Sequence, residues 1–290
     1  MSDLVVKDNA LMNASYNLNL VEQRLILLAI LEARRTNKGI NANDPLTIRA
    51  SDYIEQFDVH RVTAYQALKD ACNVLFSRYF SYQELSKGKT KHIKSRWVSR
   101  IAYVDDLAQV ELIFAPDVVP LITELESRFS QYAIEQVSNL SSAYAVRLYE
   151  LLITWRKSCT VPEIELNDFR RRLGVTDSEY TRTESFKRRV LDLAITQINE
   201  HTDIIVSYEQ HKQGRVITGF SFSFKFKKVP KAEKQKALLS PKASDLDLEK
   251  CESYAQFIGY QQRAKLLNEP LENLITKKEL AQFRKFEFMK

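Results

Sequence analysis

Between residues 18 and 35 the apolar positions recur at three- and four-residue intervals. Leu25, Leu28 and Ala29 lead to Glu32, which predicts an amphipathic helix closed by the polar run 37–44. Ala50-Ser51-Asp52 opens a second helix, with Ser51 or Asp52 as the expected cap. Residues 61–76 predict a third, with Val62, Tyr65, Leu68, Cys72, Leu75 and Phe76 on its apolar face. The period then falls to two: 97–104 and 109–114 read as strands, turned by Asp105-Asp106. Residues 116–139 return to helical spacing through Leu121, Leu125, Phe129 and Tyr132. Helices follow at 143–157, at 167–173, where Gly174 stops the helix, and at 183–199. Strands at 204–208 and 216–226 are joined by His211-Lys212-Gln213-Gly214-Arg215, and Phe220, Phe222, Phe224 and Phe226 are expected to face inward.

The pattern occurs twice. Gln23-Arg24-Leu25 is matched by Val146-Arg147-Leu148, and Ser51-Asp52-Tyr53 through Val59 by Asn167-Asp168-Phe169 through Val175. Leu68-Lys69-Asp70-Ala71-Cys72 is matched by Val190-Leu191-Asp192-Leu193-Ala194. Apolar positions agree in order while surface positions diverge, as in two copies of one small fold. Each copy reads helix, helix, helix, hairpin, the signature of a winged helix-turn-helix. The expected class is α+β: two tandem winged-helix domains, 1–125 and 126–228, with a charged linker and helical C-terminal extension over 229–290.

The chain has 290 residues, enough for two such domains and a tail. The longest apolar run, Leu25 to Leu31, is too short to span a bilayer. Asp3, Lys7 and Asp8 argue against a signal peptide, so a bacterial cytoplasmic protein is expected. Cys72, Cys159 and Cys251 form no CxxC pair, and single thiols are expected. The net charge of +6 suits a polyanionic partner, but the decisive point is where the charges cluster.

On the 183–199 helix, Phe186, Val190, Leu193, Ala194 and Gln197 share one side of an ideal wheel. Ser185, Arg188 and Arg189 lie opposite, with Arg182 beside them and Lys187 at the border. A recognition helix needs this layout, because arginine can pair bidentately with guanine in the major groove. Arg170, Arg171 and Arg172 lie nearby, and Lys212 and Arg215 occupy the second hairpin's turn. A solvated basic face is the alternative meaning of the same residues. In the first copy, Lys87, Lys89, Lys91, Lys94, Arg96 and Arg100 fall with His92 at or near the wing. They suit phosphate contact or a solvated loop. The first copy's third helix turns His60, Arg61, Thr63, Gln66 and Lys69 outward; Arg61 or Gln66 could read bases, or the helix could be purely structural.

Catalytic signatures are missing. Gly88-Lys89-Thr90 lacks the earlier glycine of a phosphate loop, since Gln83 stands there. The four histidines, His60, His92, His201 and His211, are isolated, so no metal site is expected. No catalytic residue and no cofactor are expected.

Three separated motifs carry a family resemblance. Asn9-Ala10-Leu11, Ala14-Ser15-Tyr16 and Glu22-Gln23-Arg24-Leu25-Ile26 form the first. The second is Ser142-Ala143-Tyr144-Ala145-Val146-Arg147-Leu148-Tyr149-Glu150-Leu151, and the third is Phe186-Lys187-Arg188-Arg189-Val190-Leu191 with Ala194 and Ile198-Asn199. Over residues 4–228 the chain resembles the initiator replication proteins of iteron-bearing, theta-replicating bacterial plasmids, including small Acinetobacter-type initiators and related replicons of bovine milk and serum. The resemblance implies binding of double-stranded DNA at directly repeated origin sites, with opening of an AT-rich stretch and recruitment of the host helicase and chromosomal initiator. It also implies a homodimer, joined through the first domain, that represses its own gene at an inverted repeat and exchanges with an initiating monomer. Lys187, Arg188 and Arg189, with Arg182, would carry recognition. The strand 109–114 could offer a free edge for pairing with a partner subunit. Two other readings stay open: a plain transcriptional repressor with the same tandem fold, and a nicking initiator of rolling-circle replication.

Overall fold

The computed structural model describes residues 3–41, 44–86, 88–123, 129–227 and residue 276. The linker and tail expected beyond residue 228, together with Lys87 and Leu125, lie outside the described residues apart from Thr276.

An N-terminal arm comes first: β1 (Leu4–Asp8), α1 (Asn9–Met12) and β2 (Ser15–Tyr16). The first winged helix is built from α2 (Leu20–Thr36), β3 (Leu46–Arg49), α3 (Ala50–Phe57), α4 (Arg61–Leu75) and the wing β6 (Val98–Val104) and β7 (Gln109–Phe114). Between α4 and β6 an extra hairpin, β4 (Tyr79–Ser86) and β5 (Lys89–Arg96), pairs with β2. A connection follows through α5 (Val119–Thr123), β8 (Phe129–Ala133) and α6 (Glu135–Ser138). The second winged helix has α7 (Ala143–Ile153), β9 (Thr160–Glu165), α8 (Leu166–Leu173) and α9 (Thr183–Phe186). A π turn (Lys187–Leu191) leads into α10 (Asp192–His201), then the wing β10 (Ile204–Gln213) and β11 (Val216–Phe226).

The repeat is topological as well as sequential. In the first copy the sheet order is β3-β7-β6, and in the second β9-β11-β10. Each time the strand before the helix-turn-helix pairs with the last strand of the wing. One apolar core, from Val5 to Phe224, runs through both copies.

Local signals explain the helix ends. Asn19 and Glu22 form a reciprocal capping box at the start of α2. The Glu165 carboxylate accepts the amides of Asn167 and Asp168 at the start of α8, and Gly174 ends it at φ 82. The expected cap of α3 is displaced: Arg49 holds that position and its side chain accepts no capping bond, because the helix runs directly out of β3.

Other expectations are corrected. The segment 116–139 is not one helix. Ser130 and Tyr132 are buried while Phe129 and Gln131 are exposed, a period of two, because β1 pairs antiparallel with β8. That pairing carries the arm past residue 125, the expected domain boundary. Of the lysine-rich segment, Lys89, Lys91, Lys94 and Arg96 form β5 of the β4–β5 hairpin, the approach to the wing, and not a loop, while Arg100 lies on the wing strand β6. Strand 109–114 offers no free edge, since β7 is paired on both sides. On α4 Val62 is 72% exposed, and Phe76, just past its end, 48%. The buried face is Ala64, Leu68, Ala71, Cys72 and Leu75.

The two copies are tied reciprocally by equivalent arginines. Arg24 of α2 donates to the carbonyls of Ser138 (3.0 Å) and Leu140 (3.2 Å), which lead into α7. Arg147 of α7 donates to the carbonyls of Met12 (3.0 Å) and Ala14 (2.9 Å), which lead towards α2, and to Arg172 (3.0 Å) at the end of α8. Arg24 lies over the ring of Phe57 and Arg147 over that of Tyr16. Arg147 also pairs with Glu150 (2.7 Å), whose carboxylate further accepts from Lys7 (2.6 Å), Tyr132 (2.7 Å) and Tyr16 (3.2 Å). Lys7, Arg147 and Glu150 are all buried. Burial pushes the Glu150 carboxyl up, but Lys7 and Arg147 outweigh it and hold the group down at about 2.

Glu150→Gln would leave two buried cations under-compensated and should cost about 3–5 kcal/mol in urea denaturation at neutral pH. A depressed folded-state pKa means stability that is present above about 4.5 and lost as pH falls towards about 2. The variant should therefore lose less stability than the native chain across that window. Gly174→Ala should cost at least about 1 kcal/mol, because φ is positive there and a Cβ would meet the carbonyl oxygen of Tyr16.

Candidate nucleic-acid interface

The helix spanning 183–201 carries the most distinctive surface. Phe186, Val190, Leu191, Ala194 and Ile198 are buried, whereas Leu193, expected inside, is 46% exposed. The π turn is the cause. Its wider turn brings Leu191 round to the face of Phe186 and Val190, and beyond it the buried face is Leu191, Ala194 and Ile198, from which Leu193 points away. Phe186 packs edge-on to Phe169 at 6.0 Å and tilted to Phe220 at 6.4 Å.

The sequence-expected arginines fall into two kinds. Arg182, Arg188 and Arg189 are exposed, and among the described residues their side chains have no hydrogen-bond or ion-pair partner. Ser185 is half-buried beside them, lining a shallow depression with Arg182 and Arg189. Lys187, by contrast, is tied down. Its Nζ lies 3.6 Å from Asp192 and 5.5 Å from the centre of the Tyr208 ring. Tyr208 donates to Asp192 at 2.6 Å. The Tyr208 hydroxyl, and then the Asp192 charge, raise the Lys187 pKa. This brace from wing to helix was missed by periodicity, because Tyr208 sits in an otherwise ordinary strand.

Arg170 is also engaged: Nη1 donates to Tyr180 O (2.9 Å) and Nη2 to Glu179 O (2.6 Å). Arg171 is more open, 3.3 Å from Asp168, while Arg172 bonds Asn13 and Asp168. At the second wing, β10 extends further than expected, so the turn shortens to Gly214 and Arg215 with Gly214 at φ 64. Lys212 and Arg215 are exposed there without a side-chain partner among the described residues.

The first copy differs. On α4, Arg61 donates to the Tyr65 hydroxyl (2.7 Å) and Gln66 to Asp70 (2.8 Å). Lys69 bonds Asp105 (2.7 Å) at the turn of its own wing, and that bond raises its pKa. All three polar side chains have intramolecular partners. On the β4–β5 hairpin, Lys91 is 4.0 Å from Glu84, and Lys94 lies 3.7 Å from the centre of the Tyr79 ring. Arg96 donates to the Phe76 carbonyl at 2.7 Å.

Among the described residues, no group of three or more histidine, cysteine or acidic side chains could hold a metal ion. No described helix is long and apolar enough to cross a membrane.

Residues 4–153 match the family model described as "Initiator Replication protein, WH1", and residues 165–224 match "Initiator Rep protein, WH2". An uncharacterized 27.6 kDa protein of Escherichia coli is 25% identical over 225 residues, covering 73% of this chain and 92% of that protein. A crystal structure of Pi initiator protein in complex with iteron DNA covers 79% of this chain and 99% of that one, with TM-score 0.63 and 22% identity. The WH1 domain of a replication protein isolated from a multiple sclerosis patient is 73% identical, over 42% of this chain and 93% of that domain, with TM-score 0.35.

The geometry separates structural from free cations. Arg188→Ala and Arg189→Ala should shift unfolding free energy by no more than about 0.5 kcal/mol. Tyr208→Phe, which removes the bond to Asp192, should cost about 0.5–1.5 kcal/mol in the same urea titration.

Proposed function

The chain belongs to the initiator replication protein family, and on that premise we propose that it initiates plasmid replication by binding directly repeated duplex sites at its origin. The observation that carries the reading is the set Arg182, Arg188 and Arg189, exposed and, among the described residues, without side-chain partners at the start of the second-copy helix. That end of a recognition helix enters the major groove, where arginine reads guanine. Lys212 and Arg215 at the wing tip suit phosphates, which orient the domain without reading sequence. Arg171, and the hairpin cations Lys91 and Lys94, take the same backbone role.

The first domain is the weaker reader in this scheme, since Arg61, Gln66 and Lys69 must leave existing partners to meet bases. Autoregulation by a homodimer at an inverted repeat, exchange with a monomer on direct repeats, and contact with host helicase and initiator proteins complete the proposal. Binding of the repeats by the monomer alone would draw the equilibrium towards it by mass action. Because β7 has no free edge, the dimer contact falls on another surface of the first domain.

A footprint on the protein's own replicon tests the central claim: protection of direct repeats is expected, and uniform weak protection would refute it. Arg188→Ala and Arg189→Ala should each lower affinity for the repeats by about 1–3 kcal/mol, with local loss of sequence discrimination. Replacing Lys212 and Arg215 with Gln should weaken repeats and random duplex alike. The slope of log affinity against log salt should shrink by about 0.9 for each phosphate that is no longer neutralised. The same titration with Lys91 and Lys94 replaced by Gln should also give a smaller slope; an unaltered one would remove the hairpin from the interface.

A further inference from the structure

The two helix-turn-helix units differ most in the segment joining their helices. In the first copy Asp58 to His60, three residues, links α3 to α4. Asp58 makes that tight corner in the left-handed region at φ 47. In the second copy Gly174 to Arg182, nine residues, separates α8 from α9. A connection of that length leaves the start of the helix under-determined unless something holds it.

Arg170 is placed to hold it. Its guanidinium donates to three successive parts of the turn: Thr176 O at 3.4 Å, Glu179 O at 2.6 Å and Tyr180 O at 2.9 Å. The same group lies 5.1 Å from the ring centre of Phe186, the residue that anchors the recognition helix to the core. The rest of the turn is organised around this staple. The Glu179 carboxylate accepts from the amide and hydroxyl of Thr176, at 2.9 and 2.8 Å. Tyr180, at φ 45, packs edge-on to Tyr144. Both terminal nitrogens of Arg170 are thus committed to carbonyls, and a phosphate would have to displace them.

We propose that Arg170 is a positioning residue for sequence recognition: it fixes the turn 174–182 and so aims Arg182, Ser185 and Arg189 at base edges. It is not itself a phosphate contact. A fixed fork of donors suits this task better than lysine, which offers one flexible point charge. The inference rests on the functional reading above, because aiming matters only if that helix reads DNA.

The test uses the full chain with Arg170→Ala and Arg170→Lys, repeat and random duplexes, a salt titration, and amide hydrogen exchange. Affinity for the repeats should fall about tenfold or more, the equivalent of one arginine–guanine pair. Affinity for random duplex and the salt slope should stay as in the native chain, and amides between 176 and 186 should exchange faster in both variants. Equal weakening of both duplexes with a slope smaller by about 0.9 would make Arg170 a phosphate contact and overturn the proposal. Unchanged repeat affinity or unchanged exchange would overturn it too. So would global unfolding of both variants, which would mark a general core residue. If the native chain itself shows no preference for repeats, the functional reading fails; faster exchange across 176–186 would still show that the arginine holds the turn.

Discussion

A carboxylate taken out of water is costly unless its charge is answered at close range, and Glu150 is answered four times. Lys7 and Tyr132 reach one oxygen; Arg147 and Tyr16 reach the other. The cluster is net cationic, and the carbonyls of Met12, Ala14 and Arg172 absorb the excess by accepting from Arg147. Because the donors come from the arm, from β8 and from α7, the charges balance only when all three are docked. Any change in the angle between the two copies must pull one of these groups off Glu150. The separation of the two candidate reading heads is therefore set by a polar network, with Arg24 repeating the device from the other side.

Within that frame the copies have divided their labour by the fate of their polar side chains. In the first, Arg61, Gln66 and Lys69 bond within their own domain, and Lys69 joins helix to wing. In the second, the joint from helix to wing falls to Lys187, Asp192 and Tyr208, and Arg182, Arg188 and Arg189 take no part in it. This leaves the helix start open. The π turn fits the same economy, since it lets Leu191 join Phe186 and Val190 in the core while Arg188 and Arg189 stay in solvent.

Much of this was legible in the sequence. The internal repeat announced two copies of one topology, and both sheets have the same strand order. Gly174 marked the end of α8, and the arginines expected outward on the 183–199 helix are exposed. What stayed hidden depends on partners distant in the chain. Phe129 and Tyr132, three apart, fit a helical spacing, whereas a strand sends them to opposite faces, and the pairing with β1 decides for the strand. The strand 89–96 is too rich in lysine to alternate visibly, and it forms because β4 pairs with it. Leu193 was misplaced because an ideal wheel cannot anticipate an inserted π turn. Arg170 and Arg188 look alike as letters; carbonyl groups folded back from residues 176–180 separate their roles.

The arm also has a bearing on how the chain comes to be folded. Residues 4–16 are made before the first winged helix, yet several of their partners, at Tyr132, Arg147 and Glu150, are made more than a hundred positions later. A chain leaving the ribosome must carry β1 unpaired while β2 joins β4 and the first winged helix assembles around α2. The last clasp closes only when α7 and α8 have emerged. Contacts of such long sequence separation are slow to form and are worth little until both ends are present. An interrupted synthesis thus leaves a first domain with β1 unpaired.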